Sequence, residues 1–370
     1  GVTSVVMGNC GVGIAPCKPE TREIAMKDLV NVEGIPFDVL NKGITWDWET
    51  FPEFMDAAER HGHDIDYAVM VPHSALRVYV MGDRGAEHAE IPTGREIEEM
   101  ARLTEEALLA GAMGFTTSRT NKHKAKDGRF TPSLSAREAE LLGIAQGIRR
   151  AGRGVIEVNS DFGPGEFEAL EAAATLAGRP LSCLLVQVDA QPDLWRDTLA
   201  NIHRMRAAGR EANAQVGSRP IGVIMGLETT VHPFAAHPVW RELRDLTPAQ
   251  RYQRLVADTD LRQRLLAPRT GGSAAAFMGE AFHKMFPIAD RPDYEPDLAN
   301  SVAAIAERTG RTPQANLDAA AKLIGEAKQG GADYVLTPEM TNIMEVNREK
   351  FFGAIVAEEN DASLATFREL

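Results

Sequence analysis

"GREIEEMARLTEEALLAGAMGFTTSRT", residues 94–120, holds a helix followed at once by a strand, and that order decides the fold. Ile97, Met100, Ala101 and Leu108 fall near the spacing of one helix face, and Gly111 stands where such a helix would be capped. Residues 114–117 then read as a short strand. The same alternation continues outward. Short apolar runs at 3–7, 67–71, 155–158, 181–186 and 221–225 read as further strands, and "FEALEAAATLAG" (167–178) reads as another amphipathic helix. Strand, helix, strand at this rhythm predicts a parallel α/β sheet or barrel. Such folds hold their chemistry at the carboxyl ends of the strands. The stretches to read closely are therefore "MGNCG", "MVPHSALR", "FTTSRT", "EVNSDFG", "LVQVD" and "IMGLETT".

Composition sets limits on function. The chain has 370 residues, 44% of them hydrophobic, and a formal net charge of -13. An acidic chain without a Lys/Arg block argues against a nucleic-acid partner. No run of 18 apolar residues exists, which argues against a membrane span. Cys10, Cys17 and Cys183 make neither a disulfide framework nor a paired zinc motif, so a reducing, cytoplasmic setting is expected. Residues 228–308 are less regular. His232 and His237 lie in a loop-like aromatic stretch and read as packing residues, and a polar helix pair breaks between Asp258 and Thr259.

Several side chains at strand ends are candidates for a site. Cys10 is either a metal ligand or a small buried hydrophobe. His73 ends "DYAVMVPH", and Arg77 follows one helical turn later. Together they suit a substrate carboxylate, for which a guanidinium fork is well shaped; the alternative is a loop histidine beside an exposed arginine. Ser118 and Arg119 follow a strand and are weighed as further substrate contacts. His61 and His63 have the spacing of a ligand pair but follow a helix, so they are expected at the surface.

The stretches "GVTSVVMGNCGVGIAPC", "VPHSALRVYVMGDRG", "GAMGFTTSRT", "SRPIGVIMGLETTVHPF" and "DYEPDLANSVAAIAERTGRTP" occur in an order that resembles the N-acyl-D-amino-acid deacylases of the amidohydrolase superfamily, over about residues 1–313. The resemblance implies a TIM-like (β/α)8 barrel that carries zinc and hydrolyses a linear amide. A zinc ion lowers the pKa of its bound water and polarises the carbonyl. It also implies Cys10 as a metal ligand. The family's His-x-His pair on the first barrel strand and its Asp on the last have no counterpart here, and "VIEVNSDF" and "LSCLLVQV" carry no histidine where metal-binding members have one. Weak zinc binding is therefore expected.

From Gln314 onward, "QANLDAAAKLIGEAKQGGADYVLTPEM" resembles the start of the nitrilase, or carbon–nitrogen hydrolase, superfamily. That resemblance implies a Glu-Lys-Cys triad with Glu339 as general base toward a cysteine. No cysteine follows Cys183, so the triad would be incomplete. The word "GRTP" fits a helix start in both families, with Thr312 as cap and Pro313 at the first position. The expected organisation is an incomplete amidohydrolase barrel, 1–313, followed by a short nitrilase-type α/β segment, 314–370. The chain opens on a β-branched run under way and stops at an opening helix, which reads as a fragment. The expected function is a deacylase-like hydrolase acting on a small amide, impaired by the missing parts, with self-association through open barrel edges. The rival readings are a nitrilase-type amidase and an inactive product.

Overall fold

The computed structural model describes residues 2–188 and 191–217. Beyond them it describes 222, 232–234, 237–243, 246–267, 281–287, 293, 295–310 and 312. The chain divides into two compact units, Gly1–Val216 and Gly217–Leu370.

The first unit is a parallel half-barrel with helices on one side. Its strands are β1 (Ser4–Met7), β2 (Asp66–Pro72), β3 (Gly114–Arg119), β4 (Ile156–Ser160), β5 (Leu181–Leu184) and β6 (Ala212–Gln215). They pair in chain order, all parallel. The helices are α1 (Arg22–Val32), α2 (Phe37–Gly43), α3 (Phe51–His61), α4 (His73–Met81), α5 (Gly94–Ala110), α6 (Glu138–Ala151), α7 (Glu166–Ala177) and α8 (Leu194–Ala207).

The opening stretch forms α5 and β3 as its periodicity requires. Met100, Ala101, Leu108 and their neighbours are buried, and Gly111 ends the helix at φ 124. Thr93 and Glu96 close a reciprocal capping box at its start. A Cβ at Gly147 of α6 would run into the backbone of Ala101, so glycine there lets α5 and α6 meet closely. The core lies between helices and sheet and includes Phe115, Leu108, Ile144, Ile148, Leu170 and Leu181. Each such side chain contributes about 1.5–3 kcal/mol relative to exposure.

Two expectations about strands need correction. The strand expected over 181–186 ends at Leu184, and β6 was not expected at all. Its sequence, ANAQ, has no β-branched residue, so tertiary pairing with β5 overrides weak propensity. The strand expected over 221–225 and the nitrilase-like segment 314–370, with Glu339 and its strand at 334–337, lie outside the described residues.

In the second unit, α9 (Pro248–Ala257), α10 (Thr259–Leu266) and α11 (Val302–Thr309) are described. Asp258 separates α9 from α10 and caps the latter, as the expected break requires. Phe234, Trp240, Leu243, Leu255, Leu261 and Leu265 form a local core. His232 is buried with its ring edge-on to Trp240 at 4.5 Å, and His237 accepts from the Val239 N–H. Among the described residues no helix is long and apolar enough to cross a membrane.

Candidate functional site

The carboxyl end of β1 leads into a turn that reaches across to β3. Gly8 and Gly11 adopt φ 91 and 79, and the Gly11 N–H donates to the Gly8 carbonyl at 3.1 Å. A Cβ on Gly11 would collide with the Thr117–Ser118 peptide, so only glycine allows this approach. The Gly11 carbonyl accepts from the Ser74 hydroxyl at 2.6 Å, and the Asn9 carbonyl accepts from the Thr116 hydroxyl at 2.9 Å. These bonds fix Asn9 and Cys10 over the strand ends.

Strand alternation then sorts the side chains. Phe115, Ile156, Val158, Leu181, Cys183 and Ala212 join the helix-side core. Their alternates, Thr116 and Ser118, Glu157 and Asn159, Ser182, and Gln215, fall on the face without helices. Across β3 and β4 and at Ser182 and Gln215 this face is polar, while Met70, Pro72 and Leu184 share it on β2 and β5. Ser118 meets His123 at 2.8 Å, and His123 lies 3.5 Å from the Asn159 amide. Burial lowers the pKa of His123 and favours its neutral form. Glu157 is 3% exposed, and burial pushes its carboxyl up to about 7, against a lowering contact from Gln215. Gln215 donates to the Ser182 hydroxyl at 2.8 Å and accepts from Asn9 at 3.2 Å.

Cys10 is half-buried, and its thiol lies 3.0 Å from Glu33 Oε1, at the end of α1. Burial first, then the Glu33 carboxylate, push the thiol up to about 12. At neutral pH it therefore carries its proton, whereas a metal ligand must be a thiolate. Among the described residues no three His, Cys, Asp or Glu side chains gather around one point. The described residues do not by themselves fit a zinc site, and Cys10 with Glu33 offers a pair at most.

His73 and Arg77 come together, but behind the sheet. Both are fully buried, so the alternative of an exposed arginine is corrected. His73 begins α4, with Nδ1 2.8 Å from the Thr117 hydroxyl and Nε2 2.9 Å from Glu140. Arg77 donates to Glu140 and to the Glu90 carbonyl. Burial lowers the pKa of His73 and favours its neutral form, against the raising effect of Glu140. Burial alone would raise Glu140, but His73 and Arg77 together hold it below the usual range. Arg119, at the end of β3, is bonded to Glu166 and to the Ser133 carbonyl at 3.3 Å. His61 and His63 are exposed, His61 beside Asp47 at 3.3 Å and His63 against the Tyr67 ring.

The sequence reading missed Glu157, Asn9, His123, Gln215 and Glu140. A charge inside the apolar run "VIEVNS" was a readable signal for Glu157. The partners of Cys10 and Arg77 lie 23 and 63 residues away, beyond any periodic pattern.

Comparison with known proteins adds descent to this geometry. D-aminoacylase of Alcaligenes xylosoxydans xylosoxydans is 29% identical over 200 residues, 53% of this chain and 36% of that protein. N-acyl-D-glutamate deacylase of the same organism is 31% identical over 218 residues, 56% of this chain and 39% of that protein. In both cases the chain spans less than two-fifths of the relative's length. A solved D-aminoacylase, described with a binuclear metal centre, aligns at 25% identity and TM-score 0.44 over 58% of this chain and 41% of its own. The N-acyl-D-glutamate deacylase of Bordetella bronchiseptica, solved with zinc and a phosphonate inhibitor, aligns at 26% and 0.44, over 60% of this chain and 42% of its own. The description "Amidohydrolase family" matches residues 1–338. With that match spanning the half-barrel and its polar strand ends, the chain belongs to the amidohydrolase family.

Proposed function

We propose that the polar face of the half-barrel serves hydrolysis of a carbon–nitrogen bond, with N-acyl-D-amino acids as the substrate class. The carrying observation is the row Thr116, Ser118, Glu157, Asn159, Ser182 and Gln215 on the helix-free side of an all-parallel sheet, in a chain of this family. The D-aminoacylase and N-acyl-D-glutamate deacylase relatives support the substrate class.

Amide hydrolysis needs a group that takes a proton from water and one that returns it to the leaving nitrogen. Glu157 is suited to that exchange because burial brings it near neutrality. Asn9, Asn159 and Ser118 supply donors at the strand ends for a substrate carbonyl. Zinc, implied by the resemblance, would supply a Lewis acid. Among the described residues it would find only the Cys10 and Glu33 pair, which does not by itself make a zinc site.

The test measures amine release from N-acetyl-D-glutamate, N-acetyl-D-methionine and their L forms. It uses this chain and a hybrid that supplies the remaining length of a deacylase relative. The expected result is near-background release by the chain alone and D-selective release by the hybrid, lost on Glu157→Gln. A folded hybrid that releases no amine from any D substrate sinks the reading.

A further inference from the structure

The polar row of β3 and β4 continues past the strand ends. Thr116 and Ser118 are followed in the same phase by Thr120, and Glu157 and Asn159 by Asp161. Beyond the strands the two rows are tied together. Asp161 accepts from the Thr120 hydroxyl at 2.8 Å and from the Asn121 N–H at 2.9 Å, and its own N–H donates to the Arg119 carbonyl at 3.2 Å. The Lys122 N–H donates back to the Thr120 hydroxyl at 3.3 Å, and the His123 ring returns to Ser118. The backbone from 119 to 123 is thereby fixed over the open end of the row.

The Lys122 side chain is held far less firmly. Its Nζ lies 3.3 Å from Asp161 Oδ1, and the side chain is 63% exposed. Asp161 keeps its two hydrogen bonds when the ammonium leaves, and an exposed pair of this kind is weak. Among the described residues the neighbouring cations are committed. Arg119 is 8% exposed and is bonded to Glu166 and the Ser133 carbonyl. Lys124 and Lys126 lie over the Phe130 and Phe37 rings, at 4.8 and 5.0 Å. Glu33 and Asp161 meanwhile bring negative charge to the His123 ring. An anion entering there needs a positive partner.

We propose that Lys122 takes a carboxylate of the substrate at the open end of the polar row, in exchange for Asp161. This deepens the amidase reading and rests on it for the substrate. An N-acyl amino acid carries a carboxylate by its chemistry, and the lengths agree. Its α-carboxylate carbon stands about 3–4 Å from the acyl carbon, and a side-chain carboxylate like that of glutamate about 6 Å. A two-residue step along a strand is about 6.6 Å. An acyl carbonyl held by Ser118 and Asn159 thus puts either carboxylate within reach of a lysine arm based just beyond Thr120 and Asp161.

The experiment measures binding to the chain itself by saturation-transfer NMR on the ligand, at constant ionic strength. One pair of probes is N-acetyl-D-methionine and N-acetyl-D-methioninamide, whose contrast reports the α-carboxylate. The other is N-acetyl-D-glutamate and N-acetyl-D-glutamine, whose contrast reports the side-chain carboxylate. In at least one pair, Lys122→Met is expected to weaken the acid about fivefold, the upper end for an exposed ion pair, and to leave its amide unchanged. Lys122→Arg keeps the charge and is expected to keep the preference. The pair that loses its contrast says which carboxylate Lys122 takes. Equal changes for acid and amide in both pairs, no change in either, Lys122→Arg behaving as Lys122→Met, or a parent chain that binds none of the four overturns the assignment. The hybrid decides the amidase reading separately. A folded hybrid that releases no amine, beside a chain with a Lys122-dependent preference, refutes that reading and leaves the carboxylate subsite standing. A hybrid that hydrolyses D substrates, with KM for acid and amide responding equally to Lys122→Met, keeps the reading and removes Lys122 from it.

Discussion

Arg77 donates from one nitrogen to both oxygens of Glu140, at 2.7 and 2.6 Å, with both side chains inside the protein. His73 bonds Glu140 as well, and His73 and Arg77 together hold its carboxyl below the usual range. Removing one member of a buried pair strands the other. Arg77→Met is therefore expected to cost about 3–5 kcal/mol, read as a lower urea midpoint. Arg77→Met with Glu140→Leu should recover part of the loss. A single-variant cost below about 1 kcal/mol would show that water reaches the pair.

Asp28 on α1 is 3% exposed, and its Oδ1 has no hydrogen-bond partner. Burial raises its carboxyl to about 7, partly offset by Arg129. The unfolded chain gives up this proton from about pH 4, while the folded protein holds it to about 7. Stability from this group is thus full below pH 4 and falls as pH climbs through 7. Asp28→Asn should stabilise the protein at pH 8 by on the order of 2–4 kcal/mol and change little at pH 4. Equal effects at the two pH values would contradict this.

Cys10 should be a slow nucleophile. Its thiol is held protonated by burial and by Glu33, so a disulfide reagent at pH 8 is expected to label it far more slowly than a free thiol. Glu33→Gln should speed labelling. Zinc must displace the same proton, so dialysis against a chelator is expected to strip it. Stoichiometric zinc retained after that dialysis would revive the metal-ligand role for Cys10.

The face and edge of β1 predict self-association. Val5, Val6 and Met7 are 37%, 45% and 39% exposed, and among the described residues β1 pairs only with β2. Unpaired backbone and apolar side chains invite another strand. The purified chain is expected to scatter light as more than one copy, and Val6→Lys should shift it toward the 40.3 kDa monomer. A monodisperse parent monomer would count against an open edge.

Much of this architecture was legible. The phase of Met100, Ala101 and Leu108 announced α5, and β-branched runs announced β1 to β4. β6 was not legible, because ANAQ strands only by pairing with β5. The site was legible in position and less so in membership. Glycines and Cys10 marked the β1 turn, but Glu33, Glu140 and Gln215 reach their partners through folding alone. His73 and Arg77 show the limit most plainly. The same two residue types suit a carboxylate from a substrate or one from α6, and sequence does not say which arrives.

Because each strand of the half-barrel lies beside the one made just before it, every strand after β1 finds a partner already made when it leaves the ribosome. Assembly can then proceed with synthesis, one βα unit docking on the last, with loop closures no longer than a unit. The nascent sheet would carry one newly made edge at a time. Chaperones that cover such an edge would meet it repeatedly, at intervals set by the spacing of β1 to β6 along the chain.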